Sequence, residues 1–169
     1  MHDIMLEHII RKHLPDIAFL EAQKYEAMEN LNYYGISAKA VEALLAQEST
    51  CGYVVTQNSK VIGYFVYSLH KDYAEIHNLV VQAGDSQQKA FALVAEKLKS
   101  QVNSGKRSCV YMNVLEDDIA TLNLFKENGF RCIKVEENYF EDLKRDAFRM
   151  EYAKNKPKGK DGEQELVLV

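Results

Sequence analysis

The chain has 169 residues, 47% hydrophobic and 27% charged, the make-up of one soluble globular domain with a sizeable core. Its 21 basic and 25 acidic side chains leave a formal charge of −4, which argues against gripping nucleic acid or anionic membrane through bulk charge. No apolar run approaches the roughly 18 residues of a membrane span, and residues 1–7 lack the basic and apolar regions of a secretory signal.

Residues 5–11 alternate loosely and predict a first strand. Pro15 stands where a helix tolerates proline, in its first turn, and Ile17, Leu20, Tyr25 and Met28 carry that helix over 15–30. Residues 30–35 read as a loop with two adjacent tyrosines, and Ser37 as the N-cap of a helix through Val41, Leu44 and Leu45. Strands follow over 51–56 and 61–70, joined by a hairpin turn at 57–60. A third strand covers 73–81. The clearest helix spans 87–103, with Ala90, Phe91, Val94, Leu98 and Val102 on one face. Next come a strand over 108–114 and a helix opened by Asp118 that stops at Asn128-Gly129, glycine taking the left-handed position. A strand over 130–135, a charged loop over 136–145 and a strand over 146–152 close the domain.

Residues 1–153 are thus read as one domain and 154–169 as a tail. In the tail, Lys154, Lys156, Lys158 and Lys160 lead through three acids to Leu166-Val167-Leu168-Val169. It is either a segment without fixed structure or one that adds a strand to a sheet edge or a partner. The order β-α-α-β-β-β-α-β-α-β-β predicts an α+β fold, an α/β/α sandwich with a mixed central sheet flanked by helices. The five histidines show no i,i+4 pair and no pairing with cysteine at metal spacing, so no metal centre is expected. Cys51, Cys109 and Cys132, odd in number and far apart, read as reduced structural thiols of a cytoplasmic protein.

Val66-Tyr67-Ser68-Leu69-His70-Lys71, then Ile76-His77-Asn78-Leu79-Val80-Val81, a long helix and Gly129-Phe130-Arg131 form an ordered set. That set resembles the GNAT acetyltransferases over about residues 5–153. Asn138-Tyr139-Phe140-Glu141-Asp142 and Asp146-Ala147-Phe148-Arg149-Met150 are similar to the bacterial subgroup that acetylates the N-terminal alanine of a ribosomal protein. The resemblance implies the GNAT acyl-CoA N-acyltransferase fold. It also implies an acetyl-CoA or CoA site between two central strands, with the pyrophosphate at the N-terminus of the long helix. A base must deprotonate the amine and an acid protonate the thiolate.

Carried over by position, the resemblance places the ligand against Leu79 and Val81, the loop Ser86, Gln87, Gln88, Lys89, Ala90 and Phe91, and Asp118. The phosphate loop departs from the family pattern. Ser86 stands for an Arg or Gln, Lys89 for a glycine, and Phe91 for a second small residue. Lys89 could neutralise a phosphate. Phe91 either packs in the core with the helix's apolar face or fills the volume that the pyrophosphate needs. Asp118 is either a plain N-cap or a neighbour of the pantetheine arm.

The proton-transfer positions depart as well. Counting back from Gly129-Phe130, the acid position is Phe125 and the base position Asn113, neither able to serve near neutral pH. Glu75 and His77 are the candidate substitutes, with Tyr111 two residues before Asn113. Strand alternation would put Glu75, His77 and Leu79 on one side and Ile76, Asn78 and Val80 on the other. Tyr139 and Phe140 match the aromatic pair that walls the substrate groove in the resembling enzymes. The reading is a degenerate, acetyltransferase-like pseudoenzyme that binds a protein or peptide N-terminus or a CoA-like ligand; a homodimer is compatible with it. The alternative is an active acetyl-CoA-dependent protein N-terminal alanine acetyltransferase.

Overall fold

A computed structural model describes residues 3–27 and 37–154. The expected end of the first helix, the tyrosine loop and tail residues 155–169 lie outside the described residues. The elements are β1 (Ile4–His8), α1 (Leu14–Ala27), α2 (Ala38–Leu45), β2 (Thr50–Gln57), β3 (Lys60–Leu69), β4 (Tyr73–Val81), α3 (Gln87–Asn103), β5 (Cys109–Leu115), α4 (Ile119–Glu127), β6 (Arg131–Phe140) and β7 (Arg145–Ala153). Short 3-10 turns at Arg11–His13 and Glu141–Leu143 precede α1 and β7. The seven strands form one sheet in the order β1-β2-β3-β4-β5-β7-β6. The sheet is mixed: β4 and β5 run parallel, whereas β1–β2, β2–β3, β5–β7 and β6–β7 are antiparallel. Among the described residues, no helix is long and apolar enough to cross a membrane.

The chain divides into two compact units: Met1–Leu69 with Ile76–Val94, and His70–Glu75 with the residues from Ala95 on. In the first, β2 and β3 are joined by Asn58 and Ser59, both at positive φ, a two-residue turn whose twist matches that of the strands. Ile17, Leu20, Val41, Val54, Tyr64, Val66 and Val80 form the core between α1, α2 and the sheet. Ser37 caps α2 as expected, its Oγ accepting from Ala40 N at 3.2 Å. The expected first strand ends early, at His8. The chain then tightens into a 3-10 turn whose His13 Nδ1 accepts from Ile10 N at 3.1 Å.

In the second unit, β5 pairs with β7 over seven residues, from Cys109↔Ala153 to Leu115↔Ala147. Asp118 Oδ1 accepts from Thr121 N at 3.2 Å and caps α4, which ends at Gly129 with φ +87°. Phe125 meets Phe130 edge-on at 4.8 Å, and Lys99 Nζ donates to Asn128 O at 3.1 Å from above the Tyr152 ring. One expectation needs correcting. Residues 136–140 are strand rather than loop, because Glu136 pairs with Ala147 and Phe140 with Arg145 across a register shift that brings Asn138 to φ +51°. An edge strand keeps charge on its open side, so Glu136 and Glu137 gave this stretch the composition of a loop.

Gly63 marks a close approach of backbone to backbone in the first unit. A Cβ there would stand 2.8 Å from Val80 O and 3.3 Å from Val81 Cα, which are backbone atoms that cannot step aside. At Gly52 it would meet only the ends of the Leu45 and Ile9 side chains, at 2.6 and 2.8 Å. Gly63→Ala is therefore expected to destabilise the protein by about 2 kcal/mol, and Gly52→Ala by less. Urea midpoints of the two variants measure the difference; equal losses would mean that β4 yields as readily as two side chains.

Candidate functional site

In the first unit, the faces of β3 sort the candidates. Alternation puts Tyr64, Val66 and Ser68 together, toward α1 and α2, and Phe65 and Tyr67 on the other side, stacked at 5.9 Å. His77 Nε2 lies 2.7 Å from Ser68 Oγ, which in turn lies 2.9 Å from Thr50 Oγ1. Asn78 Nδ2 donates to Glu21 Oε1 at 3.4 Å, and Tyr64 OH donates to the same oxygen. His77 and Asn78 are consecutive, yet both reach the face that carries Ser68 and Tyr64. The expected division of Glu75, His77 and Leu79 from Ile76, Asn78 and Val80 is thus corrected: alternation breaks between residues 77 and 78, the signature of a bulge. Burial and the Glu21 carboxylate push the Tyr64 phenol well above its ordinary range, so it stays a donor. Glu21 was missed by sequence reasoning, although a carboxylate inside the stripe of Ile17 and Leu20 was a readable signal.

The start of α3 belongs to the same unit. Gln87 N donates to Gly84 O at 3.0 Å, and Ala90 N to Ser86 O at 2.9 Å. Gln87 Nε2 folds back and donates to Val81 O at 3.1 Å, tying the helix start to the end of β4. Ser86 and Gln87 are half-buried, while Gln88 and Lys89 are exposed. Leu79, Val81, Ala90 and Phe91 are buried, and Phe91 has no exposed surface at all. Its burial is compatible with both expectations for Phe91, core packing and filling of the pyrophosphate volume. Gly84, at φ +142°, has nothing within 4 Å of where a Cβ would stand.

In the second unit, the register Glu75↔Tyr111↔Glu151 and Asn113↔Arg149 gathers a polar face on β4, β5 and β7. The Arg149 guanidinium lies 3.6 Å over the Tyr111 ring, with Nη2 3.6 Å from Glu151 Oε2. Glu75 Oε2 stands 3.7 Å from His70 Nε2, and the His70 ring stacks on Tyr73 at 4.4 Å. Burial first, then the Glu75 carboxylate, pushes the Tyr111 phenol up to about 12, with Arg149 opposing. Asn113 Oδ1 and Arg149 Nε are shut from solvent without a hydrogen-bond partner among the described residues. Sequence reasoning missed Arg149; alternation along β7, which separates Arg149 and Glu151 from Phe148 and Met150, was the available signal.

The remaining candidates also lie in this unit. Phe125 is fully buried against Phe130, and the Asp118 carboxylate is occupied as an N-cap. Tyr139 and Phe140 meet edge-on at 5.0 Å, with Tyr139 about half exposed. Glu75 is paired with His70, whereas His77, in the first unit, bonds Ser68. Burial raises the Cys109 and Cys132 thiols above their ordinary range, which keeps them protonated at neutral pH. No group of three or more His, Cys, Asp and Glu side chains is placed to hold a metal ion among the described residues.

By sequence the chain matches no protein-family model and no curated protein. Its structure is similar to solved acetyltransferases. The ribosomal-protein-S18-alanine N-acetyltransferase from Escherichia coli superposes with a TM-score of 0.66 at 18% identity, covering 89% of this chain and 94% of that one. An aminoglycoside 6'-acetyltransferase type Ii gives 0.68 at 17% identity, covering 90% and 99%. The spermidine N-acetyltransferase from Vibrio cholerae, in complex with CoA and spermine, gives 0.64 at 21% identity, covering 89% and 95%. The α+β architecture expected from the element order is the one found, and the chain has the GNAT acyltransferase fold.

Proposed function

We propose that this is a GNAT-fold binding domain that takes a peptide or protein N-terminus, with a CoA-type ligand at the start of α3, and has given up the usual proton transfer. The observation that carries the proposal is Phe125. The position that the family resemblance reserves for the acid holds a ring inside the core, edge-on to Phe130, with no proton to give. Asn113 stands at the base position and cannot ionise there. Positioned acid–base groups contribute about 10² to 10⁴ in rate, so losing both leaves little beyond positioning.

The ligand half of the reading rests on the start of α3. Ser86, Gln87, Gln88 and Lys89 are polar and reach the surface, Phe91 is buried, and Gly84 leaves the approach open. The N–H groups in the first turn of a helix that stay outside its own hydrogen bonds, with an exposed lysine beside them, suit a pyrophosphate. CoA is the ligand held by the Vibrio cholerae neighbour. A second reading, an active acetyl-CoA-dependent N-terminal alanine acetyltransferase, is favoured by His77, an imidazole hydrogen-bonded to Ser68 on β3.

Isothermal titration should give a micromolar dissociation constant for CoA and acetyl-CoA alike, about 8 kcal/mol of binding. Lys89→Glu is expected to weaken both by about tenfold. The absence of heat and of thermal stabilisation would remove the CoA half of the proposal. With acetyl-CoA and an alanine-starting peptide, release of CoA thiol should stay at the uncatalysed rate. Turnover that His77→Gln abolishes would instead establish the enzyme reading.

A further inference from the structure

We infer that the outer edge of β6 is a self-complementary surface on which a second copy of this chain pairs about a two-fold axis at Val135. β6 closes the strand order, so its outer side has no neighbouring strand among the described residues. Monomeric proteins blunt such an edge by keeping it short or charged. Here it is ten residues long and is not purely charged: between Arg131, Lys134, Glu136 and Glu137 it carries exposed Ile133, Val135 and Tyr139, with Ile119 of the adjoining α4 exposed as well. Val135 pairs with Phe148 and so lies on the same sheet face as Cys132 and Met150, whereas Lys134 pairs with Arg149 on the other face.

Charge along the strand names the occupant. Arg131 and Lys134 fill the first half of β6, and Glu136 and Glu137 follow, with Glu141 and Asp142 just beyond its end. A strand that is basic first and acidic second matches itself only when the copy runs antiparallel. With Val135 facing Val135 across the axis, Lys134 of each copy stands opposite Glu136 of the other. Lys134 Nζ already lies 2.7 Å from Glu136 Oε1 within one chain, so both charged groups sit on one face where the second pair would join them. The register shifts at 132–134 and 136–140 confine regular pairing to the segment around Val135. That restriction, with the charge order, closes the assembly as a dimer rather than a fibre.

Sedimentation equilibrium of the full chain tests this across a concentration series, at low and high salt. The expected result is a reversible monomer–dimer equilibrium that salt weakens, with a dissociation constant on the order of 10⁻⁵ M for so small an interface. Lys134→Glu places like charges opposite each other twice and should weaken dimerisation by about tenfold or more. Lys134→Glu combined with Glu136→Lys should restore it. Val135→Lys, on the apolar face, should leave a monomer with an unchanged circular dichroism spectrum. A chain that is monomeric throughout, that dimerises regardless of these changes, or that grows into open-ended oligomers would overturn the proposal.

Discussion

β3 and β4 touch backbone to backbone at Gly63, and the features of the first unit that bear on function are set from that contact. With Val80 O at 2.8 Å from where a side chain would begin, the end of β4 is fixed in depth against β3. The fixed end carries Val81, whose carbonyl receives the Gln87 side chain and so sets where α3 begins. Upstream, the same strand turns both His77 and Asn78 toward Ser68, Tyr64 and Glu21. Two adjacent residues of one strand can face one way only where the ladder gains a residue, and that distortion is stable because buried partners receive both side chains.

Much of the fold was legible from sequence because it rests on local rules. Ser37 and Asp118 cap their helices, Gly129 ends α4 in the left-handed region, and the helical period carries Ala90, Phe91, Val94 and Leu98 inward. What escaped depends on neighbours remote in sequence. The strand over residues 136–140 exists because β7 pairs with it, and its charge hid that. A period-two count cannot see the extra residue between positions 77 and 78. Arg149 lies over Tyr111 because antiparallel register, which no local spacing records, sets β7 beside β5.

The polar face of β5 and β7 shows how charge is managed when it is drawn partly out of water. Arg149 gains the Tyr111 ring and Glu151, while Tyr111, buried and beside Glu75, holds its proton more tightly than an ordinary phenol. Neighbouring Asn113 Oδ1 and Arg149 Nε are nonetheless left without partners among the described residues. A buried donor or acceptor without a partner costs about 1–3 kcal/mol. That cost falls away wherever water or a polar group supplies the missing partner.

Phe125 makes the opposite exchange. A hydroxyl at this position would have to find a partner inside the core, whereas the bare ring meets Phe130 edge-on at 4.8 Å, a geometry worth about 0.5–1.5 kcal/mol beyond burial. The sequence thus favours packing where the family resemblance looks for an acid and keeps polar groups at the start of α3 and along β5 and β7. A phenylalanine rather than a proton donor at this position leaves both of those polar surfaces intact, because neither depends on the Phe125 side chain for its charge. On the proposed reading, ligand recognition and proton transfer are separable for that reason: one would be carried by exposed and half-buried polar groups, and the other requires a titratable atom where this chain has a ring in its core.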